Sequence, residues 1–121
     1  MELVYYKKLT VSASGTDSTE HLPMYRKMKI VEVRLVADTA ITANSTNFVV
    51  IKLQNGSTDL GSRSFETDSM SAGASEAISL SGGSALDFSD LDELKITYDQ
   101  SGSGMALDCG LVLVFEPRRD V

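Results

Sequence analysis

From Ile30 to Ala37 the odd positions Val31, Val33, Leu35 and Ala37 are apolar, with Glu32 and Arg34 between them. A period of two marks a strand with one wet face. A polar corner, ADTAITANSTN, leads into FVVIKLQ, where Phe48 and Val50 point one way and Val49, Ile51 and Leu53 the other. Both of its faces are mainly apolar, so this strand packs on the core with one side and on something else with the other. Asn55-Gly56 is the strongest turn signal in the chain, because both residues tolerate the positive φ of a tight hairpin. Leu60 to Thr67 then reads as the returning strand.

The same grammar extends in both directions. Upstream, Met1 to Val11 is β-prone through Val4, Tyr5, Tyr6 and Val11, and carries Lys7 and Lys8 at what would be a sheet edge. Ser12 to Glu20 holds only small and polar residues and predicts a loop; in HLPMYRKM, Pro23 permits an extended edge segment. Downstream, a brief strand is expected at Ala77 to Leu80, then a break at Ser81-Gly82-Gly83, then LKITYD with Leu94, Ile96 and Tyr98 alternating. SGSG at Ser101 to Gly104 predicts a hairpin connection. It feeds the longest apolar strand, Met105 to Phe115, which Pro117 stops.

About seven or eight short strands with turn signals every 8–12 residues or so predict an all-β fold, an antiparallel β-sandwich of jelly-roll type with little helix. One helical turn is conceivable at Asp87 to Leu94, where Asp and Ser could cap it. A single domain is expected, with residues 1–28 as an N-terminal arm and edge segment and 29–121 as the sandwich body; a chain of 121 residues can bury a core without staples.

Charge changes this picture more than composition does. Net charge is −6, but residues 1–37 sum to +2 and residues 38–121 to −8. A basic entry on an acidic body argues against general nucleic-acid binding and suits docking on an acidic surface. Tyr5, Tyr6 and Tyr25 lie near lysines, yet no basic, aromatic groove accompanies them. No secretory signal opens the chain, and no apolar run approaches the roughly 20 residues of a membrane helix, so the product is expected to be soluble in the cytoplasm where it is made, with no membrane partner.

Catalytic chemistry finds few parts. His21 is the only histidine and Cys109 the only cysteine. One of each supplies neither a zinc site nor a triad, and Cys109, inside LDCGLVLVF, reads as a buried small hydrophobe. Asp87, Asp90, Asp92 and Glu93 have the oxygen chemistry for calcium, without the glycine and spacing of a helix-loop-helix calcium loop. No cofactor, no structural metal and no enzymatic activity are expected.

VEVRLVADTAITANSTNFVVIKLQNGSTDLG, LDELKITYDQSGSG and ALDCGLVLVFEP resemble, through strand and turn grammar over most of residues 29–117, the β-sandwich decoration or cement proteins of tailed-bacteriophage capsids. The resemblance implies a structural virion protein on the capsid surface, a homotrimer or other cyclic oligomer that bridges subunits of the major capsid protein. Tyr5, Tyr6, Lys7, Lys8, Arg26, Lys27 and Lys29 are the expected contacts. The alternative is a carbohydrate- or receptor-binding module of a tail or fibre, for which Tyr98 is the one tyrosine in the body.

Overall fold

The computed structural model describes residues 2–24, 26–89 and 92–118. Among them nine strands run β1 (Leu3–Val11), β2 (Ser18–Pro23), β3 (Met28–Ala37), β4 (Phe48–Asn55), β5 (Thr58–Ser64), β6 (Ser75–Ala77), β7 (Asp87–Phe88), β8 (Glu93–Ser101) and β9 (Leu107–Pro117). They form two antiparallel sheets, a five-stranded one ordered β1-β9-β3-β6 with β7 also on β3, and a four-stranded one ordered β2-β8-β4-β5. The pairs β4/β5, β3 with β6 and β7, β2/β8 and β1/β9 are nested like the rungs of one long hairpin. Rolling that hairpin sets β9 beside β3 and β8 beside β4, which is the jelly-roll winding.

Alternation along the inner strands builds the core. Leu107, Cys109, Leu111, Leu113 and Phe115 of β9 meet Val49, Ile51 and Leu53 of β4 and Leu94, Ile96 and Tyr98 of β8, all buried. In β3 the strict odd-position pattern fails at one point: the pairing with β9 shifts between Ile30 and Glu32. The extra residue there turns Ile30 and Val33 both inward and leaves Val31 half-buried.

Several local expectations are corrected. The hairpin at Asn55-Gly56 is present, but its two-residue loop is Gly56-Ser57, with Gly56 at φ 63°, and the Asn55 amide instead donates to the carbonyls of Ala85 (2.9 Å) and Asp87 (3.3 Å). SGSG is no hairpin: β8 and β9 lie in different sheets, so it is an arch between layers. The brief strand is Ser75–Ala77 and not Ala77 to Leu80, and the loop after β1 ends at Ser18, where β2 begins. Of the helical turn expected at Asp87 to Leu94, the described residues are β7, a hydrogen bond from Asp92 N–H to Ser89 O (3.1 Å) and the start of β8; the one helical element among the described residues is a 3-10 turn, Gly83–Leu86. Asp90 of that stretch lies outside the described residues.

Where β5 passes the segment after β6, the chains touch. A Cβ placed on Gly61 would stand 2.7 Å from the Ser79 carbonyl oxygen and 2.9 Å from Ile78 Cγ2. Gly61→Ala is therefore expected to cost about 1–3 kcal/mol by forcing backbone apart. Urea denaturation checks it, with Gly56→Ala, where space is open and only φ is strained, as the reference.

Candidate functional site

Residues 1–28 supply the outer strand of each sheet, β1 against β9 and β2 against β8. These two edges face each other along one flank. Odd-numbered side chains of β1 share the inward face with Leu111 and Leu113, so Lys7 points between the sheets, where its ammonium lies 3.2 Å from Glu20 Oε2 of β2. The opposite flank repeats the device with Arg63 of β5 and Glu76 of β6 at 3.1 Å. An inward-pointing charge on an edge strand discourages stray pairing, because a new neighbour would have to bury it.

Lys7 and Glu20 divide the β1/β2 flank into two hollows. On one side lies an apolar cleft of about 450 Å³, walled by Leu3, Tyr5, Leu22, Met24, Met28 and Phe115, with Arg26 as the one charged lining group among the described residues. On the other lies a polar cavity of about 250 Å³ under the loop from β1 to β2. That loop is clasped by Gln100: Oε1 accepts from the Ser14 and Gly15 amides (both 3.2 Å), and Nε2 donates to the Ser12 carbonyl (3.3 Å).

The apolar cleft continues around the edge of the sheet. Leu3, Val4, Tyr5 and Tyr6 are 42%, 69%, 47% and 55% exposed, an unbroken apolar run in which Val4 and Tyr6 turn to the outer face beside Val114 and Val112. Gly110 seats the Tyr6 ring, for a Cβ there would fall 2.4 Å from Tyr6 Oη. The outer face of the other sheet differs: Thr19, Thr97 and Gln54 exchange hydrogen bonds across it and Lys52 pairs with Asp99 at 2.9 Å. Apolar surface is thus concentrated on one corner of the molecule.

The expected contact residues separate accordingly. Tyr5, Tyr6 and Arg26 meet at this corner. Lys7 and Lys8 do not present free charge: Lys7 holds Glu20, and the Lys8 ammonium sits between the carboxylates of Asp38 and Asp108, whose hydrogen bonds, that of Asp108 foremost, raise its pKa. Lys29 is exposed on β3, paired across to Asp87 and Glu116 and separated from β1 by β9. Lys27 is half-buried and its carbonyl accepts the Arg118 amide at 2.9 Å. Leu3 and Val4 belong to the surface as well, and the signal for them in the sequence is LVYY, an apolar run without an interrupting charge. Tyr25 lies outside the described residues.

The acidic stretch is dispersed among partners. Asp92 accepts the Ser89 amide (2.8 Å), Glu93 lies 2.7 Å from His21 Nδ1, and Asp87 stands 3.8 Å from Arg118 Nε. No three acidic, His or Cys groups converge among the described residues. His21 lies in β2, paired with Lys95 of β8. Cys109 is fully buried, and burial pushes its thiol up to about 11, so it is protonated at neutral pH. No helix among the described residues is long and apolar enough to cross a membrane.

The sequence matches no protein-family model and none of the curated proteins. Among solved structures, one titled "Structure of infectious bursal disease virus Gx strain" is similar over 99% of this chain and 33% of that chain, with 13% identity and a TM-score of 0.43. This chain spans about a third of that one's length.

Proposed function

We propose that this protein is a non-enzymatic structural component of a virion that docks on the outside of a capsid and ties neighbouring coat subunits together. The observation that carries the reading is the run Leu3, Val4, Tyr5 and Tyr6 at the edge of the five-stranded sheet. It is exposed apolar surface on a chain that otherwise sorts its residues well. Aromatic side chains on a rigid strand are effective anchors, since they bury much area and lose little conformational freedom. Arg26 adds a charge at the rim, fit for an acidic coat surface. A closed oligomer, a homotrimer in this reading, would present several such corners at once and multiply weak contacts into firm ones. Because such a protein binds the assembled shell and not its separated subunits, it stabilises the shell by mass action.

The test is co-sedimentation with shells of the coat protein from the same virus, using the intact chain and Val4→Asp/Tyr6→Asp. Both positions are more than half exposed, so the double variant should keep its own melting temperature within a few degrees. Its binding should weaken at least about tenfold, as expected for losing two anchors at a contact centre. Wild-type protein that stays in the supernatant at every shell concentration would sink the proposal.

A further inference from the structure

The apolar cleft between β1 and β2 has a lining that restricts what can occupy it. Its floor is Met24, Met28 and Phe115, all buried in the core, with Leu3, Tyr5 and Leu22 around them. No Ser, Thr, Asn, Gln, Asp or Glu lines it among the described residues, and Pro23 on the β2 side has no N–H to offer. A peptide guest could pair with the β1 edge only as far as Tyr6, because Lys7 points into the gap and holds Glu20 at 3.2 Å. Its remaining backbone groups would lie unpaired against apolar side chains, at a cost that a hydrocarbon chain does not carry. At the rim, Arg26 is exposed and pairs with no carboxylate among the described residues. It is a cation without a counter-charge beside an apolar hollow.

We propose that this cleft binds a single-chain amphiphile with a carboxylate head, a free fatty acid, with its tail on Met24, Met28 and Phe115 and its head at Arg26. Charge and shape select this class. A planar guanidinium matches a carboxylate with two parallel N–H donors, whereas an ammonium or choline head would meet like charge. The two methionines are unbranched and adaptable, so they can follow a flexible chain. At about 450 Å³ the cleft falls within the roughly 300–1,000 Å³ of small-molecule sites. The inference does not rest on the docking reading: the tail lies between the sheets, not on the outer face, and the protein is titrated without any shell.

The experiment is an NMR titration of the full chain, read at the methionine methyl groups, with octanoate, decanoate and dodecanoate below micelle-forming concentration and decanol as the neutral counterpart. Met24 and Met28 should shift saturably, while Met70 and Met105, which do not line the cleft, stay in place. Affinity should rise about tenfold for each two methylenes added, until the chain outgrows the cleft. Decanoate should bind about two- to fivefold more tightly than decanol, the range of an exposed ion pair. Arg26→Gln should erase that difference and leave the melting temperature unchanged. No saturable shift with any of the three carboxylates, affinity that ignores chain length, or decanol binding as well as decanoate would each overturn the proposal. Met24 and Met28 signals that move with protein concentration alone would do so too, because a second copy would then be filling the cleft.

Discussion

A chain that begins at Lys29 is expected not to fold. Residues 1–28 look separable in the sequence, yet they hold the outer strand of both sheets and four buried side chains, Leu9, Val11, Met24 and Met28. Burying side chains of this kind stabilises by about 1.5–3 kcal/mol each, so their joint loss is comparable to the whole net stability of a domain, roughly 5–15 kcal/mol. Removing β1 would also bare one edge of β9 along all nine of its pairs, from Leu3↔Phe115 to Val11↔Leu107. Circular dichroism should show no cooperative melt for residues 29–121. A cooperative transition near that of the full chain would mean that β1 and β2 are accessory after all. Shell binding is for this reason best probed by point substitution, and truncation would confuse loss of contact with loss of fold.

Arg63→Ala is expected to cost about 2–3 kcal/mol, against less than about 1 kcal/mol for Lys7→Ala at the opposite flank. Both side chains close a gap between sheets with an ion pair to a glutamate. Arg63 does more. Its side chain is 13% exposed, Nε and Nη2 both bond Glu76 Oε2 (3.2 and 3.1 Å), Nη1 donates to the carbonyls of Ser64 and Asp68, and the guanidinium lies 4.4 Å from the centre of the Phe65 ring. Truncation would leave two carbonyls short of a donor and uncover Phe65, which is fully buried. Lys7 and Glu20 are about one-third exposed and meet in partly aqueous surroundings. Urea unfolding of the two variants decides the comparison; equal costs would show that the Arg63 network adds nothing beyond charge.

Period-two alternation made the sandwich legible, and it located the central strands because burial on one or both faces is written directly in β3, β4, β8 and β9. What it could not supply was sheet membership. SGSG reads alike whether it joins paired strands or arches between layers, and only β9's partners, β1 and β3, distinguish the two. The same limit applied to the candidate site. Tyr5, Tyr6 and Arg26 were visible as an aromatic and basic N-terminal cluster, but the sequence could not show that Lys8 is held by Asp38 and Asp108, residues distant along the chain. Glu20 and Gln100 carried no local signal, since each is an ordinary polar residue until the fold sets one beside Tyr98 and the other across the Ser12–Gly15 loop. A formal charge count overstated the basic face because ion pairing is a property of tertiary neighbours.

The nesting of strands has a consequence for how the molecule comes into being. β9 lies between β1 and β3, and β8 lies between β2 and β4, so each sheet is assembled around a strand from the last third of the chain. During synthesis β1 and β2 emerge long before β9 and β8, the strands that pair with them. The hairpin of β4 and β5 and the pairing of β3 with β6 and β7 need no later strand, whereas the apolar LVYY segment must wait longest for its partner. Folding is then dominated by distant contacts, in the slow, millisecond-to-second class. Until β9 leaves the ribosome, the strand later offered at the surface is the one most in need of a chaperone.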